Sequence, residues 1–411
     1  MSTSATVKSN TPKIGLILLV FLAFISLGLP DGLLGVAWPS IRASFGLSLD
    51  SLGMLLFAAT AGYLTSSFFS GKIISQMGVG GVLAASCAAT GLGLIGYTLV
   101  PAWWMMVLLG VVAGLGAGAI DAGLNTYVAA NFKENLMQWM HACYGIGVTL
   151  GPIIMTNGLN LFGNWRVGYA FVGSAQLLLA LSFVLTLKMW KRKTSPAGFE
   201  MPRQITDYKT SILETLRQPI VWLSILLFFV YTGSEASLGT WVYTLLTESR
   251  HIAPKIAGYL ASSYWITFTI GRILAGWYTR HIKISSLLRI SIGSAFAGSL
   301  LLLWNPSDIV SIIGVVVIGF AIAPIFPGLV SDTSDRVNPH YAANTIGMQM
   351  GGAGLGAAAI PTLIGVFAQR ISLEAIPVCM VILYLSLFGL YTLSLIKRGA
   401  GGQVIPGSRN I

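Results

Sequence analysis

Asp31, Asp121, Glu235 and Arg272 are full charges inside long apolar runs of this 411-residue chain. His141 is the only histidine in such a run. A carboxyl group at membrane depth is costly unless it faces a water-filled path or a partner. It is also the kind of group that takes up and gives back a proton when water access switches sides. Asp121 stands in GVVAGLGAGAIDAGLNTYVAAN (Gly110 to Asn131) with Asn125 four residues on, so carboxylate and amide share one helix face. The chemistry expected of these residues is cation coupling at Asp121, Asp31 and Glu235. His141 is either a hydrogen-bond or proton partner of Asp121 or a packing residue.

Other residues have types suited to binding or gating. Trp38 and Trp241 each follow an acid, Asp31 and Glu235, and an indole face suits the apolar C–H face of a sugar ring. The alternative is a place in the interfacial aromatic belt. Asn125, His141 and Gln349 complete the candidate substrate-binding set, though single intramembrane amides also serve as helix–helix hydrogen bonds. Arg272 and Arg280, near the end of one apolar run, are candidate gate or loop-anchoring residues. No cluster of His and Cys has metal-ligand spacing and no GxxxxGK[ST] phosphate loop occurs, so neither metal, cofactor nor enzymatic activity is expected.

Helices must position these groups. The chain is 55 % hydrophobic and 9 % charged, with mean hydropathy +0.78, whereas soluble domains carry about 25 % charged residues. Apolar runs of membrane-spanning length predict twelve helices, at about 14–38, 49–71, 79–101, 103–131, 138–161, 167–187, 219–247, 256–278, 284–305, 309–331, 343–367 and 375–396. Eighteen Lys and Arg fall on the side of the two termini and five on the other, which predicts cytoplasmic termini in a plasma (inner) membrane. The net charge of +11 is therefore topological and does not indicate nucleic acid. Residues 188–217 carry seven basic and three acidic residues and form the only long polar interruption. They read as a cytoplasmic linker between a bundle at 1–187 and a second bundle with tail at 218–411. Cys87, Cys143 and Cys379 all sit in apolar runs and read as buried hydrophobes. The first run is too long for a secretory leader and stays as helix 1. There, Gly28, Pro30, Gly32 and Pro39 are expected to kink or loosen the helix around Asp31.

The two bundles carry related patterns. Asp31, Gly35 and Trp38 in helix 1 match Glu235, Gly239 and Trp241 in helix 7, and Gly145, Gly147 and Pro152 in helix 5 match Gly354, Gly356 and Pro361 in helix 11. Both pairs fall at an offset of six helices, as duplication of a six-helix unit predicts. This plan resembles the major facilitator superfamily over nearly the whole chain. Asp121-Ala-Gly-Leu-Asn125, YTGSEASLGTW (Tyr231 to Trp241) and MHACYGIG (Met140 to Gly147) are similar to its fucose, galactose and glucose proton-symporter group. Ser75, Gln76 and Val79 depart from the superfamily's helix 2–3 loop signature. The resemblance implies an all-α membrane protein of two pseudo-symmetric six-helix bundles. It further implies a monomer that takes up a monosaccharide with a proton by alternating access. Sodium in place of the proton, export of drugs or metabolites, and a non-transporting sensor or scaffold are the alternatives.

Overall fold

The computed structural model describes residues 14–131, 134–190, 211–279, 281–337 and 339–401. Among them every regular element is a helix, the only secondary structure besides closed barrels that satisfies its own backbone in lipid. In chain order these are α1 (Ile14–Phe45), α2 (Leu52–Leu99), α3 (Trp103–Asn131), α4 (Glu134–Phe162), α5 (Trp165–Leu185), the short α6 (Ile212–Leu216), α7 (Pro219–Thr244), α8 (Pro254–Tyr278), α9 (Ile284–Trp304), α10 (Asp308–Ile322), α11 (Ile325–Ser331), α12 (Thr333–Val337), α13 (Pro339–Arg370) and α14 (Ala375–Gly401). Ten helical stretches are long and apolar enough to cross a bilayer. The stretch that includes α2 holds two crossings, because Gly78 bends the chain there with φ 70°. The 25-residue α8 is more polar but long enough, and completes the twelve crossings.

Three local expectations change. The loop expected at 71–79 is helical up to Gly78, whose positive φ makes the turn. Helix 1 runs unbroken across Pro30 and Pro39. Its glycines serve close packing: a methyl group on Gly28 would collide with the Tyr144 carbonyl, and one on Gly147 with the Ile25 carbonyl. The tenth crossing is interrupted at Ala323–Pro324 and again at Asp332, giving α10, α11 and α12. Residues 191–210 of the expected linker, and Arg280, lie outside the described residues.

The helices up to α5 pack mainly on one another, α2 against α3 and α1 against α4, and those from α7 onward do likewise, α7 against α13 and α9 against α10. Gly110, Gly114 and Gly118 of α3 recur every four residues as a glycine stripe, and Gly114 and Gly118 lie against the backbone of α2 at Ala59 and Tyr63. The two groups meet through α1 with α7, α4 with α8 and α2 with α13. Gly35 and Gly239, the matching glycines of the two patterns, face each other across the first of these contacts.

These meetings concentrate from the middle of the bundle to the side away from the termini. There Arg42 donates to both carboxylate oxygens of Glu248 at 2.7 Å, and Leu49 N–H donates to Gln369 Oε1 at 2.9 Å. Gly53 abuts Thr362, and Trp241 fills the space beside Pro361 and Gly365. Toward the termini, Phe68, Phe69 and Met77 of α2 and Trp139 of α4 stand exposed. The bundle is thus shut at the far side. The fork between Arg42 and Glu248 is partly shielded, with side chains 25 % and 31 % exposed. Arg42→Gln is expected to weaken this closure by about 1 kcal/mol, a roughly fivefold population change. Spin labels at exposed Leu161 and Ile371, one in each group of helices, should report a longer mean distance.

A second far-side ion pair joins Arg250 to Glu374 at 3.1 Å, with Ser249 donating to the same carboxylate at 2.7 Å. Partial burial raises the Glu374 carboxyl, but the hydrogen bonds from Arg250 and Ser249 and the Arg250 charge outweigh it and hold it below its ordinary value. A carboxyl lower in the folded than in the unfolded chain adds stability above its unfolded value, lost as pH falls through the folded one. On acidification below about pH 5, the melting temperature of wild type should therefore fall more steeply than that of Glu374→Gln.

Candidate functional site

At mid-bundle α1 presents Asp31, whose side chain is exposed even though the helix around it is packed. The glycines of α1 and α4 set its surroundings. Because Gly28 lies against the Tyr144 carbonyl, α4 comes close enough for Tyr144 to reach across and donate its hydroxyl to Asp31 Oδ2 at 2.7 Å. Gly35 and Gly239 lie one turn beyond Asp31 and Glu235, and the approach of Gly35 to the Gly239 carbonyl brings the two repeat-related acids to the same level of α1 and α7. The Glu235 carbonyl accepts from Tyr264 at 2.9 Å. Arg272 lies in the same region, its guanidinium 4.2 Å over the Phe268 ring and its charge acting on Glu235 and His141. It stands with the central acids.

Asp121 is half-buried and differently held. Tyr63 of α2 donates to its Oδ2, and Asn125 Nδ2 donates to its Oδ1 at 2.8 Å and to its backbone carbonyl at 2.9 Å. The shared face of Asp121 and Asn125 is therefore real, but it closes on itself. His141 is not its partner: the ring is exposed and stands edge-on to Phe24 at 5.3 Å.

The remaining candidates divide by burial. Trp38 is fully buried 5.6 Å from Trp103, and Trp241 is fully buried with its N–H on the Pro361 carbonyl at 2.9 Å. Both belong to the packed far side of this conformation and neither presents a face to an open space. Gln349 is also fully buried, donating to Ser224 at 2.8 Å and Thr333 at 3.0 Å, where it ties α13 to α7 and α12. The structure thus brings Asp31, Glu235, Arg272 and His141 into one electrostatic neighbourhood and leaves Trp38, Trp241 and Gln349 outside it. Sequence reading missed Tyr63 and Tyr144. Tyr144 lies three residues after His141 in the MHACYGIG stretch, so helical spacing was a usable signal; Tyr63 had none, since only the fold brings α2 to α3. Among the described residues no group of three or more His, Cys, Asp or Glu has an arrangement that could hold a metal.

Twelve crossings closed at one end over a central set of acids define a membrane transporter and not an enzyme. The family model described as Major Facilitator Superfamily matches residues 16–361, and the chain belongs to that family. It is 26 % identical over 406 residues to the human protein named sodium-dependent glucose transporter 1, covering 89 % of this chain and 75 % of that one. It is 20 % identical over 349 residues to the Bacillus subtilis glucose/mannose transporter GlcP, covering 83 % and 85 %. Its fold is similar to the crystal structure of a bacterial homologue of the human lysosomal transporter Spinster, described as inward-facing and unoccupied, with TM-score 0.74, 16 % identity and coverage of 97 % and 100 %.

Gln349 supplies the test of this partition. Gln349→Leu keeps the volume and leaves Thr333 its bond to the Leu329 carbonyl, but strands the Ser224 hydroxyl, which should cost about 1–3 kcal/mol of stability. A lower melting temperature with unchanged apparent KM for transport is expected; a raised KM with unchanged melting would return Gln349 to the substrate site.

Proposed function

We propose that this transporter moves a monosaccharide into the cell together with a proton. On this reading residues 1–187 and 218–411 are two six-helix units joined by 188–217, the termini lie in the cytoplasm of the plasma (inner) membrane, and a monomer suffices. The closed far side is then the outside. The observation that carries the reading is Asp31, exposed at mid-membrane, tethered by Tyr144 and faced by Glu235. The relatives named as glucose transporters support the substrate class. So does the charge balance: carboxyls outnumber the single Arg272 guanidinium, which suits hydroxyls that donate hydrogen bonds and disfavours an anion.

In the proposed cycle, Asp31 takes a proton while the outer side is open, and the sugar binds between Asp31 and Glu235. The units then rock so that α1 closes on α7 and Arg42 engages Glu248. Proton and sugar leave toward the cytoplasm. Arg272 screens Glu235, so that the two acids do not repel the closed state apart.

Uptake of labelled hexoses into proteoliposomes under an inward proton gradient, repeated with sodium, tests this. Accumulation that collapses with a protonophore is the expected result. Asp31→Asn should abolish accumulation while leaving sugar exchange. Accumulation driven by sodium alone would replace the proton in this scheme, and no uptake of any hexose under either gradient would remove the sugar.

A further inference from the structure

The two aspartates within α1 and α3 are bound to tyrosines in opposite ways. Asp31 accepts one donor, Tyr144, on Oδ2, and its side chain is exposed. Asp121 accepts on both oxygens, from Tyr63 and Asn125, and is half-buried. The orientation of the Asn125 amide is dictated by chemistry: it sits between the Asp121 carboxylate and the Asp121 backbone carbonyl, both acceptors, so only its N–H group fits there. A flipped amide would set oxygen against two oxygens. A sodium ion needs lone pairs directed at it from several oxygens, and this seat directs hydrogens at the carboxylate instead. A proton arriving at Asp121 likewise meets a carboxylate whose two oxygens each already accept a donor.

We propose that Tyr63 and Asn125 close Asp121 to cation exchange, and that Tyr63 is a positioning residue that leaves Asp31 as the exchanging carboxyl of this half. The proposal rests on the proton-coupled reading of the central acids and refines it by dividing their roles. Tyr63 occupies a telling place, since its hydroxyl bonds Asp121 while the charge of Asp31 also acts on it. The other titratable groups on the elements packed against α3 at this level are Asp31 on α1, Cys87 on the second half of α2, and His141, Cys143 and Tyr144 on α4. Among the described residues only Tyr63 and Asn125 bond the Asp121 side chain. Tyr63 lies one turn before Ser67, which donates to the Gly118 carbonyl at 3.2 Å. The α2–α3 contact therefore holds without the phenol hydroxyl, and Tyr63→Phe removes the clamp while sparing the packing.

The test needs no sugar. Purified full-length protein in lipid nanodiscs is titrated from about pH 8 to pH 5 with a proton-counting electrode, in choline chloride and in sodium chloride. The proposal expects Asp121→Asn to bind as many protons as wild type, and Tyr63→Phe to bind about one more. That extra proton should vanish in the Tyr63→Phe/Asp121→Asn double variant, and sodium should displace none from wild type. A loss of about one proton in Asp121→Asn, an unchanged count in Tyr63→Phe, or displacement by sodium that Asp121→Asn removes would each overturn it. Should Asp121→Asn fail to fold, the near-isosteric Tyr63→Phe still decides. An Asp31→Asn protein that binds as many protons as wild type would sink the coupling role of Asp31 and leave the Asp121 clamp standing, so the two readings fail separately.

Discussion

The structure depends on the close approach of α1 to α4. In lipid, apolar side chains gain little by leaving one apolar neighbour for another, so helices associate through packing contacts and polar bonds. Gly28 and Gly32 of α1 and Gly147 and Gly151 of α4 lie backbone to backbone, with no room at any of them for a side chain. That proximity lets the Tyr144 hydroxyl reach Asp31, and it directs the exposed carboxyl toward the middle of the bundle. A bulkier residue at these positions would separate the helices and leave a bare carboxyl in an apolar layer.

Polar groups in the bundle fall into two kinds by how fully they are satisfied. The amide of Gln349 donates to two hydroxyls in a buried setting, and Asp121 is held on both oxygens; such groups hold helices in place. Among the described residues Asp31 accepts a single protein donor and the buried Arg272 Nε has no acceptor, so both keep bonding capacity, as the buried Trp38 Nε1 and Gln176 Oε1 also do. Membrane depth alone marks both kinds equally. The number of partners separates them.

The far side is built from the same economy of means in a wetter setting. A forked Arg42–Glu248 pair and the Leu49–Gln369 bond join elements that the chain places far apart, and the ion pair is partly exposed to water. Sequence-matched Gly35 and Gly239 meet just inside, where a side chain on Gly35 would collide with the Gly239 carbonyl and one on Gly239 with the Trp265 ring. One ion pair and one backbone-to-amide bond at the rim, with glycine contacts beneath them, make up this closure.

Much of this was written in the chain. Twelve apolar runs, the glycine stripe of α3, the shared face of Asp121 and Asn125, and the matching acid and glycine positions of helices 1 and 7 all follow from helical periodicity and the intolerance of lipid for unpaired backbone. These are local rules, and they act within one helix at a time. The glycine positions of α1 left a choice open, because a glycine that loosens a free helix and one that admits a neighbour look identical in sequence. Likewise Trp38 and Trp241 had the right residue type beside the right acids, but the closed far side buries them. Only tertiary structure decided that Tyr63 belongs to Asp121, Tyr144 to Asp31 and Gln349 to Ser224, because those partners lie 58, 113 and 125 residues apart and meet only when whole helices dock.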